Sequence, residues 1–267
     1  MTRFRNIIFF LTVSIYTIGC VSHAEKGADY FEAEEYEDAL FHFNKAHEFY
    51  PNDVSVIYNI ARTLEELERY EEAKSYYRLY LSKIDNKLLG FLGRGRCYLK
   101  LNDFESAEQD FTNALRANKN SFEAYYMRGR IRVQMMKFLD GASDLEKAFM
   151  MDKNHVRVRY YRGLANAAMN MTNAAIVDFN FVIEKEPDIA EAYYNRAFCF
   201  ERYRNYKKAI EDYDKAISQK EHYANAFLKR GLCYIRIKNK EAACKDFKTL
   251  SKLKDSRADD LIVKFCL

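Results

Sequence analysis

Small residues recur at an interval of 34 along almost the whole chain, and this interval limits what the chain can fold into. In the module that begins at residue 190, Ala197 and Ala209 occupy positions 8 and 20, and aromatic residues occupy positions 4, 11 and 24. Apolar residues three or four positions apart form one face of an amphipathic helix, and small residues let two such helices approach closely. The module therefore predicts a hairpin of two packed helices.

The same register holds in seven consecutive copies of the module. Position 8 is always glycine or alanine, and the only two prolines, Pro51 and Pro187, both fall at position 32, between one hairpin and the next. A proline is tolerated there because the position needs no backbone N–H donor. A helical bundle without true repeats is not expected to produce such in-phase copies. The copies begin at residues 20, 54, 88, 122, 156, 190 and 224.

This register resembles that of the tetratricopeptide repeat family, whose period is 34 residues. The resemblance implies an all-α fold, a right-handed superhelical solenoid of seven helix-turn-helix repeats over residues 20–257. Residues 258–267 place Leu261 and Phe265 where an eighth copy would have positions 4 and 8, so we expect a capping helix there.

The end of the chain carries a further resemblance. An Ala-Cys-x-Asp-Phe segment in the last full repeat is followed by a short helix that closes in Cys266, as in many envelope tetratricopeptide proteins of bacteria. This ending favours an exported scaffold. The sequence alone leaves open whether disulfides form among Cys97, Cys199, Cys233, Cys244 and Cys266.

Residues 1–19 have the pattern of an export signal. Arg3 and Arg5 precede an apolar run that is too short to span a bilayer comfortably. The run ends in Thr-Ile-Gly-Cys, which resembles a bacterial lipoprotein box and makes Cys20 a candidate for lipidation, although threonine stands where leucine is usual. Cleavage after Ala24 fits about as well, and an uncleaved anchor is a third alternative. We expect a periplasmic or outer-membrane lipoprotein, held at the membrane by its lipid, with a secreted protein as the alternative.

Charge is distributed unevenly although its total is small. The formal net charge of +4 is by itself too weak to indicate nucleic acid binding. Residues 25–53 contain nine Asp or Glu against two Lys, whereas the remainder of the chain is basic. The polar outer face that a terminal repeat needs explains the acidic first repeat, and a partner that recognises an acidic end is the alternative.

Repeats 3 to 7 share a charged signature that repeats 1 and 2 lack. Position 7 is arginine and position 23 is aspartate in each of them. Position 7 normally lies between helices, where an arginine is tolerated if a carboxylate pairs with it, so we predict structural ion pairs within a repeat or between neighbours. An anion-binding site is the alternative. The arginines are Arg94, Arg128, Arg162, Arg196 and Arg230, and the aspartates are Asp110, Asp144, Asp178, Asp212 and Asp246.

No arrangement of residues in the sequence predicts catalysis. A catalytic site needs a nucleophile with its base, a set of metal ligands or a phosphate-binding loop, and none occurs at workable spacing. The five histidines are scattered, and His42 and His47 lie five positions apart instead of the four that place two ligands on one helical face. We therefore expect no enzyme activity, no metal site and no cofactor.

Members of the tetratricopeptide family commonly bind an extended peptide or a partner helix on a concave face lined by helix A, the first helix of each repeat, while helix B is the second. The resemblance places the candidate groove residues at positions 5 and 9 of each repeat. Arginine at position 9 of three successive repeats predicts a row of unpaired positive charges that suits an acidic ligand, and the later repeats offer rings and aliphatic groups. For the tyrosines, packing within the array is an equally supported interpretation. The residues are Tyr58, Tyr126, Tyr160 and Tyr194 at position 5, and Arg62, Arg96, Arg130 and Phe198 at position 9.

The sequence as a whole predicts a non-catalytic scaffold that binds a peptide or a partner protein in the groove, in a bacterial cell-envelope complex. The sequence leaves two alternatives to this scaffold. A helical-repeat RNA binder is disfavoured by the small net charge and by the export signal, so no nucleic acid is expected. An accessory subunit that holds an envelope enzyme in place would use the same groove with a catalytic partner.

Overall fold

The computed structural model describes residues 23–267, and every regular element within this range is a helix. The all-α fold predicted from the repeat register is confirmed. The predicted signal segment and Cys20 lie outside the described residues. The helices are α1 (residues 23–32), α2 (Tyr36–Phe49), α3 (Val54–Glu66), α4 (Tyr70–Lys83), α5 (Leu88–Lys100), α6 (Phe104–Ala117), α7 (Phe122–Gln134), α8 (Phe138–Met151), α9 (Val156–Ala168), α10 (Thr172–Lys185), α11 (Ala190–Arg202), α12 (Tyr206–Gln219), α13 (Ala224–Arg236), α14 (Lys240–Lys252) and α15 (Ala258–Phe265).

The chain divides into two compact units, the first ending at Ile131 and the second beginning at Arg132. Within each unit the two helices of a repeat pack against each other, as α5 does with α6 and α11 does with α12. Within a unit, helix hairpins also pack on their neighbours, as α4 does on α5 and α12 does on α13. In the part of the chain that the structure describes, no helix is both long and apolar enough to cross a membrane.

The turn between the two helices of a repeat contains one residue in the left-handed region. In repeat 6 this residue is Arg204, whose N–H donates to the carbonyl of Glu201 at 2.9 Å, while the N–H of Asn205 donates to the carbonyl of Phe200 at 3.0 Å. These bonds satisfy the last carbonyls of α11. Glycine adopts this conformation without steric cost, yet no glycine occupies the position in the described repeats. The residues, with φ between 57° and 65°, are Glu34, Glu68, Asn102, Met136, Asn170, Arg204 and Lys238.

A large ring at position 24 explains the small residue at position 8 of the same repeat. In the first unit Gly95 lies beneath Phe111, and a Cβ atom at Gly95 would lie 3.0 Å from Cζ of that ring. In the second unit a Cβ atom at Gly163 would lie 2.9 Å from Cε1 of Phe179. Both rings are fully buried. The small residues at position 8 therefore make room for a side chain of helix B as well as for its backbone.

Two repeats carry alanine at position 8 and tyrosine at position 24. The hydroxyl of Tyr77 donates to Glu65 Oε2 at 2.7 Å in repeat 2, and the hydroxyl of Tyr213 donates to Glu201 Oε2 at 3.1 Å in repeat 6. Both tyrosines are fully buried, so their hydroxyls need such partners. Each glutamate lies at position 12 of helix A and is itself half-buried.

The predicted arginine–aspartate pairs are present within repeats 3, 5, 6 and 7, whereas in repeat 4 Asp144 accepts from Arg132 Nη1 at 2.8 Å and Arg128 Nη1 donates to Thr112. In repeat 3, Arg94 Nε and Nη2 donate to Asp110 Oδ2 and Oδ1 at 2.7 and 2.8 Å. Three further pairs have the same two-bond geometry, and Nη1 of each of their arginines also reaches helix B of the preceding repeat, at Glu146, Asn180 or Asp214. The arginines therefore join neighbouring repeats, which supports the structural interpretation. The pairs are Arg162–Asp178, Arg196–Asp212 and Arg230–Asp246.

A disulfide between Cys244 and Cys266 joins the short C-terminal helix α15 to α14. The ring of Phe265 lies 6.1 Å from that of Phe247, and Ala258 is buried at the start of α15. This bond resolves the question that the cysteine spacing left open. The remaining cysteines of the described chain are buried thiols, namely Cys97, Cys199 and Cys233.

Candidate partner-binding surface

The candidate surface is the face of the A helices that carries repeat positions 2, 5, 9 and 12, called the A-helix face below, and its tyrosines pack along the repeats. Tyr58, at position 5 of α3, is half-buried, with its ring 5.1 Å from that of Tyr80 and 6.1 Å from that of Tyr77. Burial raises the pKa of the Tyr58 hydroxyl. One side of the Tyr58 ring is therefore part of the core of repeat 2, and the other side remains available at the surface.

Arg96, at position 9 of α5, is held between two carboxylates. Its Nε and Nη2 donate to Glu65 at 2.5 and 3.0 Å, and its Nη1 donates to Glu123 at 2.6 Å. The prediction that the arginines at position 9 form a row of unpaired positive charges is therefore wrong at Arg96. Glu65 lies at position 12 of the preceding repeat and Glu123 at position 2 of the following one, so both partners come from neighbouring helices.

Arg62 has different surroundings. Its guanidinium carbon lies 4.5 Å from the centroid of the Phe31 ring and 5.9 Å from that of Tyr58, within the range of cation–π interactions. Among the described residues, no carboxylate lies within ion-pairing distance of it, and no hydrogen bond to its guanidinium is formed. Arg62 borders an open cleft of about 390 Å³ that Phe31 and Asn59 also line, with Glu32 and Glu34 at its acidic edge.

The two predicted groove residues of repeat 4, Tyr126 and Arg130, lie on α7. Tyr126 and Arg130 are both half-buried, and the Tyr126 ring lies 6.3 Å from the ring of Phe122 in a stacked arrangement. Arg130 therefore sits deeper than a freely solvated arginine would.

In the second unit, the tyrosines at position 5 pack on rings of helix B. The Tyr160 ring lies 6.2 Å from that of Phe179, and the Tyr160 hydroxyl accepts a hydrogen bond from Asn195 Nδ2 at 3.4 Å. The Tyr194 ring lies 5.6 Å from the ring of Tyr213 on helix B, and 5.0 Å from the ring of Tyr223, which directly precedes α13. Burial raises the pKa of Tyr160 to about 12. This arrangement matches the packing interpretation of the tyrosine row.

Phe198, at position 9 of α11, is half-buried and flanked by two cations. Lys229 Nζ lies 4.9 Å from the centroid of its ring, and the guanidinium carbon of Arg202 lies 5.3 Å from it. Arg202 is anchored because its Nη1 donates to the carbonyl of Ala167 at 2.7 Å. The predicted apolar half of the groove therefore also carries positive charge.

Family profiles of the tetratricopeptide repeat match residues 54–82, 92–135, 190–223 and 225–253, which together make up about half of the chain. The chain belongs to the tetratricopeptide repeat (TPR) family. Four separate matches of this kind agree with the repeated helix hairpins of the structure. TPR proteins bind protein or peptide partners, and the repeat fold is typically a non-catalytic interaction scaffold.

Solved TPR structures resemble this TPR protein over much of its length. A tetratricopeptide repeat protein from Parabacteroides merdae is 21% identical, with a TM-score of 0.65 over 93% of this chain and 99% of the other. YrrB, described as a TPR protein with an unusual peptide-binding site, is 27% identical, with a TM-score of 0.62 over 69% of this chain and 95% of its own. MamA is 26% identical, with a TM-score of 0.56 over 62% of this chain and 96% of its own. No curated protein sequence matches this chain.

The structure adds groups to this TPR surface that the repeat register did not single out. Glu65, Glu123 and Glu201 place carboxylates on the A-helix face, and Phe31 supports Arg62. In the sequence, glutamates at positions 2 and 12 of neighbouring repeats were the only indication that carboxylates lie near the arginine at position 9. Among the residues that the structure describes, no group of three or more His, Cys, Asp or Glu is placed to hold a metal ion.

Proposed function

We propose that this TPR protein is a non-catalytic scaffold that binds a peptide or a partner protein on its A-helix face, in a complex of the bacterial cell envelope. The observation that carries the proposal is the Arg62 cleft, defined by Phe31, Asn59 and Arg62. Family membership supports binding of this kind, and so does the peptide-binding site described for YrrB. The partner is a protein or peptide segment that offers a carboxylate or a backbone carbonyl to Arg62.

The physical reason for choosing Arg62 is that its position is set without using its hydrogen-bond donors. Stacking on Phe31 orients the guanidinium, whose five N–H donors can then bind a carboxylate in a fixed geometry. A hydrogen bond to a charged group contributes about 1.5–3 kcal/mol, and a side chain that is already ordered loses little entropy on binding. The N–H donors of Arg96 are already bonded to Glu65 and Glu123. A preference for acidic partners therefore depends on Arg62 and not on the whole arginine row.

We expect the substitution Arg62→Ala to weaken partner binding at least tenfold, because it removes both the positive charge and the stacked donor. Tenfold corresponds to about 1.4 kcal/mol, which one charge-assisted hydrogen bond supplies. Capture of the full chain's partner from envelope extracts, followed by titration calorimetry with the purified partner, measures the effect.

Arg78→Ala is the matched control, because Arg78 is exposed on helix B of the same repeat and lies away from the cleft. Its substitution should leave both the affinity and the helical content unchanged. Equal affinities for wild type, Arg62→Ala and Arg78→Ala would show that the partner binds elsewhere.

The envelope location is part of the proposal and has two supports. Residues 1–24 have the pattern of an export signal with a candidate lipidation site at Cys20. The Cys244–Cys266 disulfide fits an oxidising compartment, since such bonds are rare in the reducing cytosol.

We expect Cys20→Ala to abolish incorporation of labelled fatty acid and to release the protein from the membrane fraction, because the lipid would be its anchor. Fractionation and mass spectrometry of the mature N-terminus measure both effects. Cys97→Ala, which changes a buried thiol within the repeats, is the control for unspecific effects of losing a cysteine. A wild-type mature chain that begins at Glu25 would contradict lipidation and leave the secreted alternative.

A further inference from the structure

A second cleft, of about 330 Å³, lies on the A-helix face at the C-terminal end of the second unit. α13 contributes Leu232, Ile235 and Arg236, and α15 contributes Lys264 and Phe265. Leu232 lies at position 9 of repeat 7, a predicted groove position, whereas the other four residues lie outside the predicted groove positions. The cleft, called the C-terminal cleft below, has an apolar floor formed by Leu232, Ile235 and Phe265, and two cations at its edge, Arg236 and Lys264.

The charges around the C-terminal cleft leave an excess of positive charge. Glu201 also lines the cleft, but its carboxylate accepts a hydrogen bond from Tyr213 and lies 3.4 Å from Lys229 Nζ. Arg236 and Lys264 are exposed, and no carboxylate among the described residues lies within ion-pairing distance of either. The Lys264 ammonium lies 5.2 Å from the centroid of the Phe265 ring, which keeps it next to the apolar floor. A ligand that brings one negative charge beside an apolar group would therefore complement the cleft.

We infer that the C-terminal cleft binds a peptide segment in which a carboxylate lies next to an apolar side chain, and that it does so only while the Cys244–Cys266 disulfide holds α15 in place. Arg236 and Lys264 would bind the carboxylate, and Leu232, Ile235 and Phe265 would pack on the apolar side chain. The inference rests on the proposed function, since it assigns a second contact site for a peptide partner, on the A helices of the second unit.

The dependence on the disulfide follows from how α15 is attached. α15 has eight residues, and a helix of that length is not stable by itself in water. Ala258 is its buried residue, while Phe265 is only partly covered, against Phe247. The bond from Cys266 to Cys244 is therefore a covalent constraint next to the last turn of α15, which carries Lys264 and Phe265. Reduction would free this turn and remove one wall of the cleft.

Fluorescence anisotropy with short labelled peptides tests the inference on the full mature chain. The probes are N-terminally labelled Gly-Ser-Gly-Ser-X peptides with X as Leu, Ile or Phe, each as the free acid and as the amide. A third form is an amide with Asp in place of the second Ser. The free acid carries a C-terminal carboxylate and the Asp form carries a side-chain carboxylate. Comparing their affinities shows which kind of carboxylate the cleft binds. We expect at least one carboxylate form to bind tenfold or more tightly than the neutral amide.

Two variants and one control locate this preference. The double substitution Arg236→Gln and Lys264→Gln should abolish the difference between carboxylate and amide probes. Lys252→Gln, which removes an exposed cation of α14 outside the cleft, should preserve it. Cys266→Ser should lower the affinity for the carboxylate probe at least tenfold and leave the helical content of the repeats unchanged. A carboxylate preference that is absent in wild type, or that survives either variant, would overturn the inference.

The same set of proteins separates this inference from the proposed function. Binding of the natural partner to Arg62→Ala tests the Arg62 cleft, whereas the peptide probes with the Arg236 and Lys264 variant test the C-terminal cleft. If Arg62→Ala weakens partner binding but the peptides show no carboxylate preference, the scaffold function stands and the C-terminal site is wrong. If the peptides bind as expected and Arg62→Ala has no effect, the assignment of the Arg62 cleft is wrong instead.

Discussion

Replacing Arg94 by alanine is expected to destabilise the protein by about 3–5 kcal/mol, the cost of leaving a buried carboxylate without its partner. Asp110 is 3% exposed, and its two oxygens accept from Arg94 Nη2 and Nε at 2.8 and 2.7 Å. Removing the arginine leaves the Asp110 charge in an apolar interface between α5 and α6. Urea unfolding followed by circular dichroism measures the loss.

Two further variants show whether the loss comes from the stranded charge. Arg94→Ala combined with Asp110→Leu should cost less than Arg94→Ala alone, because the double variant leaves no charge to bury. Arg69→Ala is the control for an exposed pair, since Arg69 and Glu72 are 41% and 55% exposed and such pairs are worth about 1 kcal/mol or less. A double variant that loses as much stability as Arg94→Ala alone, or more, would contradict a penalty from the stranded charge.

The pH dependence of the Arg94→Ala variant has a defined sign. Burial already raises the pKa of Asp246 in the equivalent pair, although Arg230 lies beside it. Without its arginine, Asp110 is a buried carboxylate with no positive charge beside it, and burial disfavours the charged form relative to the unfolded chain. At a pH low enough to protonate this carboxyl group in both the folded and the unfolded protein, the missing arginine costs no stability. As the pH rises, the carboxyl group ionises more readily in the unfolded protein than in the folded one, so the variant loses stability relative to wild type. The deficit relative to wild type should therefore be smaller at pH 4 than at pH 7.

Replacing Gly93 by alanine is expected to cost about 3 kcal/mol, at the upper end of the range for overpacking a core. A Cβ atom at Gly93 would lie 2.2 Å from Tyr77 Cζ and 2.6 Å from its hydroxyl oxygen, so one of the two groups must move. Tyr77 is fully buried and its hydroxyl is bonded to Glu65, which leaves the ring no space to shift without breaking that bond. The contact joins repeat 2 to repeat 3, so hydrogen exchange should increase in α4 and α5 first.

Gly95→Ala provides the matched control for this prediction. Its added Cβ would meet Phe111 at 3.0 Å, a contact that a shift of a few tenths of an ångström relieves, so the loss should be smaller. Combining Gly93→Ala with Tyr77→Leu should recover part of the stability that Gly93→Ala loses, because the shorter side chain vacates the space. Equal losses for the two glycine variants in urea unfolding would contradict a specific clash with Tyr77.

The sequence by itself determined the helix hairpins and the contacts inside one repeat. Residues at positions 7 and 23, or at positions 8 and 24, face each other across a single hairpin, and every copy keeps the same separation of 16 residues. A constant separation repeated in several copies makes such a contact visible as a pattern, as for Arg94 with Asp110 and Gly95 with Phe111. The fold and these pairs could therefore be predicted without coordinates.

Only the tertiary structure decided which side chains are available on the A-helix face. Arg62 and Arg96 occupy the same position of neighbouring repeats, yet Arg62 stacks on Phe31 and Arg96 binds Glu65 and Glu123. Arginine and glutamate side chains are long enough to reach residues on either neighbouring helix, so the repeat register does not determine their partner. The choice depends on which carboxylates and rings the adjacent repeats present within a few ångströms, and only the packing of one hairpin on the next sets those distances.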